Sequence, residues 1–192
     1  MRILTIYACL FLIHLAILSN VAAQGNWKAV KQEMQVKGTS TLHDWHMDVK
    51  DAQVNTIIRI SNEKVEISQV KVRIEGKKIL SENSMMDDKA HKALKVARFP
   101  VIEFVQLGEA ALQIRESRFS GTLKGELSLA GVRKPIEILL SGQVKSGNTI
   151  VIYGSKALDM KDYKLDPPTA MLGTIKTGKD VIVEFTTELL YQ

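Results

Sequence analysis

Alternation of apolar and polar residues with period two dominates this chain. Over residues 119–131, Phe119, Gly121, Leu123, Gly125, Leu127 and Leu129 share one face, and Ser120, Thr122, Lys124, Glu126 and Ser128 share the other. That spacing predicts a half-buried antiparallel strand, because successive side chains of a strand point to opposite faces. VIVEFTTEL (181–189) sets Val181, Val183, Phe185 and Leu189 against Glu184 and Glu188, and VKVRIEG (70–76) sets Val70, Val72 and Ile74 against Lys71, Arg73 and Glu75. PIEILLSGQV (135–144), DWHMDVKD (44–51) and VKQEMQVKG (30–38) read the same way. Ala130-Gly131, Ser146-Gly147-Asn148 and Thr177-Gly178-Lys179-Asp180 punctuate the runs as turn signals. About eight or nine short strands at this spacing predict an all-β sandwich or closed barrel.

One segment departs from the pattern. In SMMDDKAHKALKVARFP (84–100), Ser84 precedes Asp87 by three residues, in the manner of a capping box. Ala90, Ala93, Leu94 and Ala97 form an apolar stripe, with Lys92, Lys95 and Arg98 toward the C-terminal end and Pro100 as the stop. This predicts one short amphipathic helix whose charges complement its dipole. Pro167-Pro168 in LDPPTAMLG (165–173) forbids regular helix or a central strand, so that stretch reads as a long ordered loop or lid.

The N-terminus changes the compartment. Arg2, an apolar run over residues 3–18 and Val21-Ala22-Ala23 have the layout of a secretory signal peptide cleaved after residue 23. The run is short for a membrane span, which takes ~20 residues; an uncleaved anchor is the rival reading. Cys9 lies inside the run and not after it, which argues against a lipoprotein site, and it is the only cysteine. Residues 24–192 then form one domain, exported to a periplasmic or secreted location and held without disulfides. The net charge of +5 falls to +4 once Arg2 is removed. Lysines and acids interleave throughout, so no basic patch with aromatics marks a nucleic-acid surface. The residual positive charge suits transient contact with anionic envelope surfaces, and solubility explains it more simply.

Histidine beside aspartate in GTSTLHDW (38–45) raises the question of catalysis. On a strand His43 and His46 point to opposite faces and converge only if a turn or bulge separates them, and His91, between lysines on the helix, reads as solvated. Three or four converging ligands for a metal are not in evidence. There is no Gly-x-Ser-x-Gly elbow, and adjacent His43 and Asp44 diverge in a strand. No enzyme activity and no cofactor are expected. The apolar faces carry more information. Gly121 and Gly125 share a face with Leu123 and Leu127; they either relieve a bend or remove side-chain volume to leave an apolar lumen, and periodicity leaves both readings open.

Four segments, GTSTLHDW, KAHKALKVARFPVIEF (89–104), GTLKGELSLAGVRKPIEI (121–138) and PPTAMLGTIKTGKDVIVEF (167–185), together resemble the YceI-like family of secreted or periplasmic lipid- and polyisoprenoid-binding proteins. The AGV-x-KP turn and the FP-x-x-EF start of a strand are specific as a set. The resemblance implies an extended, lipocalin-like antiparallel β-barrel of about eight strands with one short amphipathic helix. It also implies a tunnel for a long isoprenoid, such as a quinone or a polyprenyl compound, or another amphipathic lipid. In such a barrel GTSTLHDW is a corner: Leu42-His43-Asp44 turn and Trp45 opens the second strand.

Residues expected to line the lumen are Trp45, Met47 and Val49; Val70, Val72 and Ile74; and Ile102 and Phe104. Leu123, Leu127, Ile138, Leu140, Val183 and Phe185 complete the set, with Met85, Met86 and Met171 as an adaptable gate. Two rivals stand beside the carrier reading: a solidly packed barrel that docks a protein through residues 165–178, and an enzyme built on His43, Asp44 and His46.

Overall fold

The computed structural model describes residues 27–61, 63–145 and 148–192. The expected signal peptide (1–23) and the Ser146-Gly147 turn positions lie outside these residues. Strands β1 (Trp27–Ser40), β2 (Trp45–Val49), β3 (Gln53–Ile60), β4 (Lys64–Glu75) and β5 (Ile79–Leu80) precede the helix α1 (Ser84–Ala93). Strands β6 (Val101–Gln106), β7 (Ala110–Gln113), β8 (Arg118–Leu129) and β9 (Val132–Lys145) follow it. Then come β10 (Thr149–Asp159), β11 (Thr169–Ala170) and β12 (Ile175–Tyr191).

The twelve strands of the described residues join one antiparallel sheet in the order β3-β4-β6-β8-β9-β10-β12-β1-β2-β5, with β11 paired to β12 and β7 to β4. The sheet curls into an open barrel whose outer members, β3 and β5, do not pair with each other. Among the described residues the all-β barrel with one α-helix is as expected; the strand count there exceeds about eight because β5, β7 and β11 are too short to show a period.

Alternation holds along each strand, with corrections where a bulge resets it. In β4, Val65 and Ile67 face inward, and so do Val70 and Val72. Their spacing is odd across Ser68-Gln69, where Gln69 adopts φ +54° and β3 slips by one residue. The bulge restores the inward face. Thr177-Gly178-Lys179-Asp180 is not a turn: β12 runs through it, and the register on β1 jumps from Gly38↔Val181 to Ser40↔Thr177. Pro135 sits in the half of β9 that pairs with β8 alone, where a missing N–H is tolerated. Outer faces carry exposed cross-strand pairs such as Lys37–Glu184 at 2.6 Å and Lys71–Glu103 at 3.0 Å, which favour solubility more than stability.

The helix is shorter than 84–100 and begins with a different cap. Asn83, not Ser84, is the N-cap and accepts a hydrogen bond from the Met86 N–H. Asp87 instead accepts from the N–H and hydroxyl of Ser81, each at 2.7 Å. At the other end Lys95 takes φ +56°, and the N–H groups of Lys95 and Val96 bond the carbonyls of Lys92 and His91. That six-residue closure ends the helix before Pro100 and leaves Ala97 exposed beyond it. His91 is half-buried, not solvated: its Nε2 donates to the Ile79 carbonyl at 2.9 Å and ties α1 to β5.

Two packed clusters stabilise the barrel. Met34, Met47, Val49 and Ile79 sit beneath α1. Val65, Leu112, Phe119 and Ile150 belong to the larger cluster and plug one end of the barrel, where β8 begins and β9 ends. Burial of this kind stabilises by ~25 cal/mol per Å² of apolar surface.

Candidate functional site

Above the plug the barrel encloses a cavity of about 680 Å³. The structure brings all fourteen expected lining residues to its wall. Trp45, Met47 and Val49 come from β2, Val70, Val72 and Ile74 from β4, and Ile102 and Phe104 from β6. Leu123 and Leu127 come from β8, Ile138 and Leu140 from β9, and Val183 and Phe185 from β12. Met85, Met86 and Met171 line it too.

The glycines act differently from either of the two readings that periodicity left open. Gly125 does not leave a gap in the lumen: a Cβ there would collide with the Phe104 ring and lie 2.7 Å from the Val105 carbonyl. Gly121 is covered by Leu112. The same device recurs across strand pairs, with Trp45 over Gly38, Phe119 over Gly142 and Phe185 over Gly154. Gly38, Gly125 and Gly154 thus let the rings of Trp45, Phe104 and Phe185 lie against the wall of the lumen.

The mouth is identified by residues that both line the cavity and face solvent. Leu42, Met85 and Met171 are 66, 71 and 73 % exposed, and Leu172 beside them is fully exposed. Hydrogen bonds hold the elements of the mouth together. The Thr41 N–H donates to the Lys176 carbonyl at 3.0 Å, and Lys89 Nζ on α1 donates to the Thr169 carbonyl at 2.9 Å. Loop 165–173 holds β11 and the 3-10 turn Met171–Gly173, and Leu165, Pro168, Thr169, Ala170 and Met171 line the cavity from it.

GTSTLHDW is the corner that joins β1 to β2. Ser40 Oγ donates to the His43 carbonyl at 2.7 Å, and Trp45 Nε1 donates to the Thr39 carbonyl at 3.0 Å. His43 Nδ1 lies 2.6 Å from the Asp44 carbonyl; a carbonyl only accepts, so Nδ1 carries the proton. His43 is exposed at the mouth, and His46 faces away from the cavity. Among the described residues no three His, Cys, Asp or Glu side chains converge as a metal site. No described helix is long and apolar enough to cross a membrane.

Several wall residues were not singled out from the sequence. Met34 and Val36 of β1 follow from its alternation. Val54, Thr56 and Ile58 of β3, and Ile152, Lys156 and Leu158 of β10, are hidden by the consecutive apolar residues Ile57-Ile58 and Ile150-Val151-Ile152. Tyr163, in the 3-10 turn Met160–Tyr163, has no periodic signal at all. It is 2 % exposed, and its hydroxyl has no hydrogen-bond partner among the described residues. Burial, with Asp162 adding to it, holds that hydroxyl above its ordinary pKa. Asp159, also on the wall, is held below the usual carboxylate range by Lys179 and by the Lys161 N–H.

The fold has solved counterparts. A polyisoprenoid binding domain from Saccharophagus degradans, implicated in plant cell wall breakdown, superposes with a TM-score of 0.62 at 13 % identity, over 88 % of this chain and 99 % of that one. BcnA of Burkholderia cenocepacia gives 0.63 at 10 % identity, over 82 and 95 %. The Campylobacter jejuni YceI protein gives 0.57 at 17 % identity, over 76 and 84 %. At these identities the likeness establishes the lipocalin-like fold. No curated protein matches the sequence. The model of the YceI-like domain matches residues 20–189. The chain therefore belongs to the YceI-like family.

Proposed function

We propose that this chain is an exported, non-catalytic carrier that holds a long apolar lipid of the isoprenoid class in its barrel lumen. The observation that carries the reading is the cavity: its volume falls in the range of ligand pockets, roughly 300–1,000 Å³, and its wall is almost wholly apolar. A solidly packed barrel would not leave such a space, so the lumen counts against the protein-docking rival. The likeness to a polyisoprenoid binding domain supports an isoprenoid over other lipids. Affinity would come from burying hydrocarbon at ~25 cal/mol per Å², less the cost of ordering a flexible chain. Export rests on the N-terminal signal pattern. Transient contact with the envelope membrane rests on the apolar tips Leu42, Met85, Met171 and Leu172 at the mouth.

Native mass spectrometry of the secreted protein, followed by organic extraction, tests the carrier reading. A stoichiometric long-chain lipid is expected, and Ile138→Trp, which fills lumen space, should lose it while remaining folded. In a solid core that substitution would destabilise by about 1–3 kcal/mol; on a cavity wall the cost is smaller. A bare protein mass that does not change on incubation with quinones and polyprenols would overturn the reading.

A further inference from the structure

Lysine is the residue least expected on an apolar lumen wall, and this wall contains one well inside the mouth. Lys156 lies on β10, two residues from Leu158 on the same inward face, and lines the cavity. Cross-strand register fixes its depth. Lys156, Val183, Val36 and Met47 form one row across β10, β12, β1 and β2. Leu158, Val181, Gly38 and Trp45 form the next row toward the mouth. Two residues of strand span roughly 7 Å, so Lys156 is rooted below the rim, among apolar neighbours.

No acid of the protein answers its charge. Among the described residues four lysines are half-buried: Lys64, Lys78, Lys134 and Lys156. The first three pair with Glu66, Asp51 and Asp162 at 2.5, 2.8 and 2.6 Å, whereas Lys156 has no ion pair or hydrogen bond among those residues. Asp159, the acid on the cavity wall, is already engaged by Lys179 Nζ at 2.7 Å and by the Lys161 N–H at 2.9 Å. Lys89, the other lysine of the wall, is exposed and donates to the Thr169 carbonyl. An ammonium partly withdrawn from water destabilises the fold unless an anion is brought to it. A ligand in the lumen can bring one.

We propose that Lys156 is the counterion for an anionic head group, a phosphate ester or a carboxylate, on an otherwise hydrocarbon ligand. The proposal rests on the carrier reading and narrows it. The lumen favours an anionic amphiphile over a neutral quinone or alcohol with the same tail. The head group enters as far as the Lys156 row, and the hydrocarbon fills the lumen toward the Phe119 plug.

The test titrates three C15 probes with one tail, farnesyl monophosphate, farnesoic acid and farnesol, into the delipidated full chain. Tryptophan fluorescence is the readout, because Trp45 lines the cavity. Wild type should bind at least one anionic probe about tenfold more tightly than farnesol. The tighter of the two names the head as phosphate or carboxylate. Lys156→Met, which keeps an apolar stem of similar length, should remove that preference and leave farnesol unchanged. Lys124→Met, at an exposed lysine on the outer face of β8, controls for net charge and should alter none of the three. The ligand-free Lys156→Met chain should melt no lower than wild type, because it loses an ammonium without a partner. Absence of an anionic preference in wild type, or a preference that survives Lys156→Met, would overturn the subsite and leave the carrier intact. So would equal weakening of farnesol by Lys156→Met, an equal loss of preference in Lys124→Met, or a lower melting temperature. Failure of wild type to bind any probe would remove the carrier reading and the subsite together.

Discussion

Phe104 and Gly125 show how single residues set the bore of the barrel. The ring lies in the space a side chain at 125 would take, so wall and ring form one smooth surface. Gly125→Leu would collide with both the ring and the Val105 carbonyl and should therefore destabilise the fold by about 2–3 kcal/mol, read by urea denaturation, instead of simply blocking the lumen. A stable variant that had lost only lipid uptake would show that the ring can move aside. Alternation identifies Gly125 as inward-facing. What occupies its space is decided by a residue on the neighbouring strand, 21 positions away in sequence, and no local pattern reports that.

Among the elements, the tight connections are least visible in the sequence. β8 and β9 join at Ala130-Gly131, both at positive φ, as a two-residue turn whose twist suits a hairpin. That turn carries a readable signal. The connection from β7 to β8 has the same form at Glu116-Ser117, φ +49° and +64°, closed by reciprocal hydrogen bonds of 2.8 Å between Arg115 and Arg118. Neither residue favours that conformation. Ser117→Gly should stabilise the protein by about 1 kcal/mol and raise its melting temperature by roughly 2–4 °C; an unchanged or lower value would mean that this turn is not left-handed. The helix was legible from its stripe, but its ends were not. Asn83 and Ser84 are both good caps, and the choice between them depends on where the chain leaves β5. Lys95 in the left-handed region ends the helix without the usual glycine, its Nζ held by the Lys164 carbonyl at 2.6 Å.

On the scale of the whole molecule, one closed end and one apolar-tipped end make the barrel directional. Val65, Leu112, Phe119 and Ile150 fill the closed end, and Leu42, Met85, Met171 and Leu172 surround the mouth. If cargo is exchanged with a membrane, the tips insert and the lumen does not change. Met85→Glu with Leu172→Glu should then slow lipid uptake from anionic vesicles about tenfold or more, measured by stopped-flow transfer, with affinity for a soluble prenol unchanged. Equal uptake rates would show that transfer proceeds through water.

The sequence by itself determined the inward side of the cleanly alternating strands, that residues 27–192 are mostly antiparallel β structure interrupted by a short amphipathic helix, and that GTSTLHDW turns a corner. Each of these depends on a period, a cap or a turn residue, all set within a few neighbouring positions. Only the tertiary structure decided that the inward faces surround a cavity and not a solid core. Alternation specifies the side on which a residue lies. The volume left inside depends on the curvature of twelve strands, on bulges such as Gln69 that reset their faces, and on how far each ring lies down over its glycine. The unpaired Tyr163 hydroxyl belongs to the same category. Its environment is assembled by β10, the Lys134 and Lys95 contacts and loop 165–173, from parts of the chain that share no local pattern.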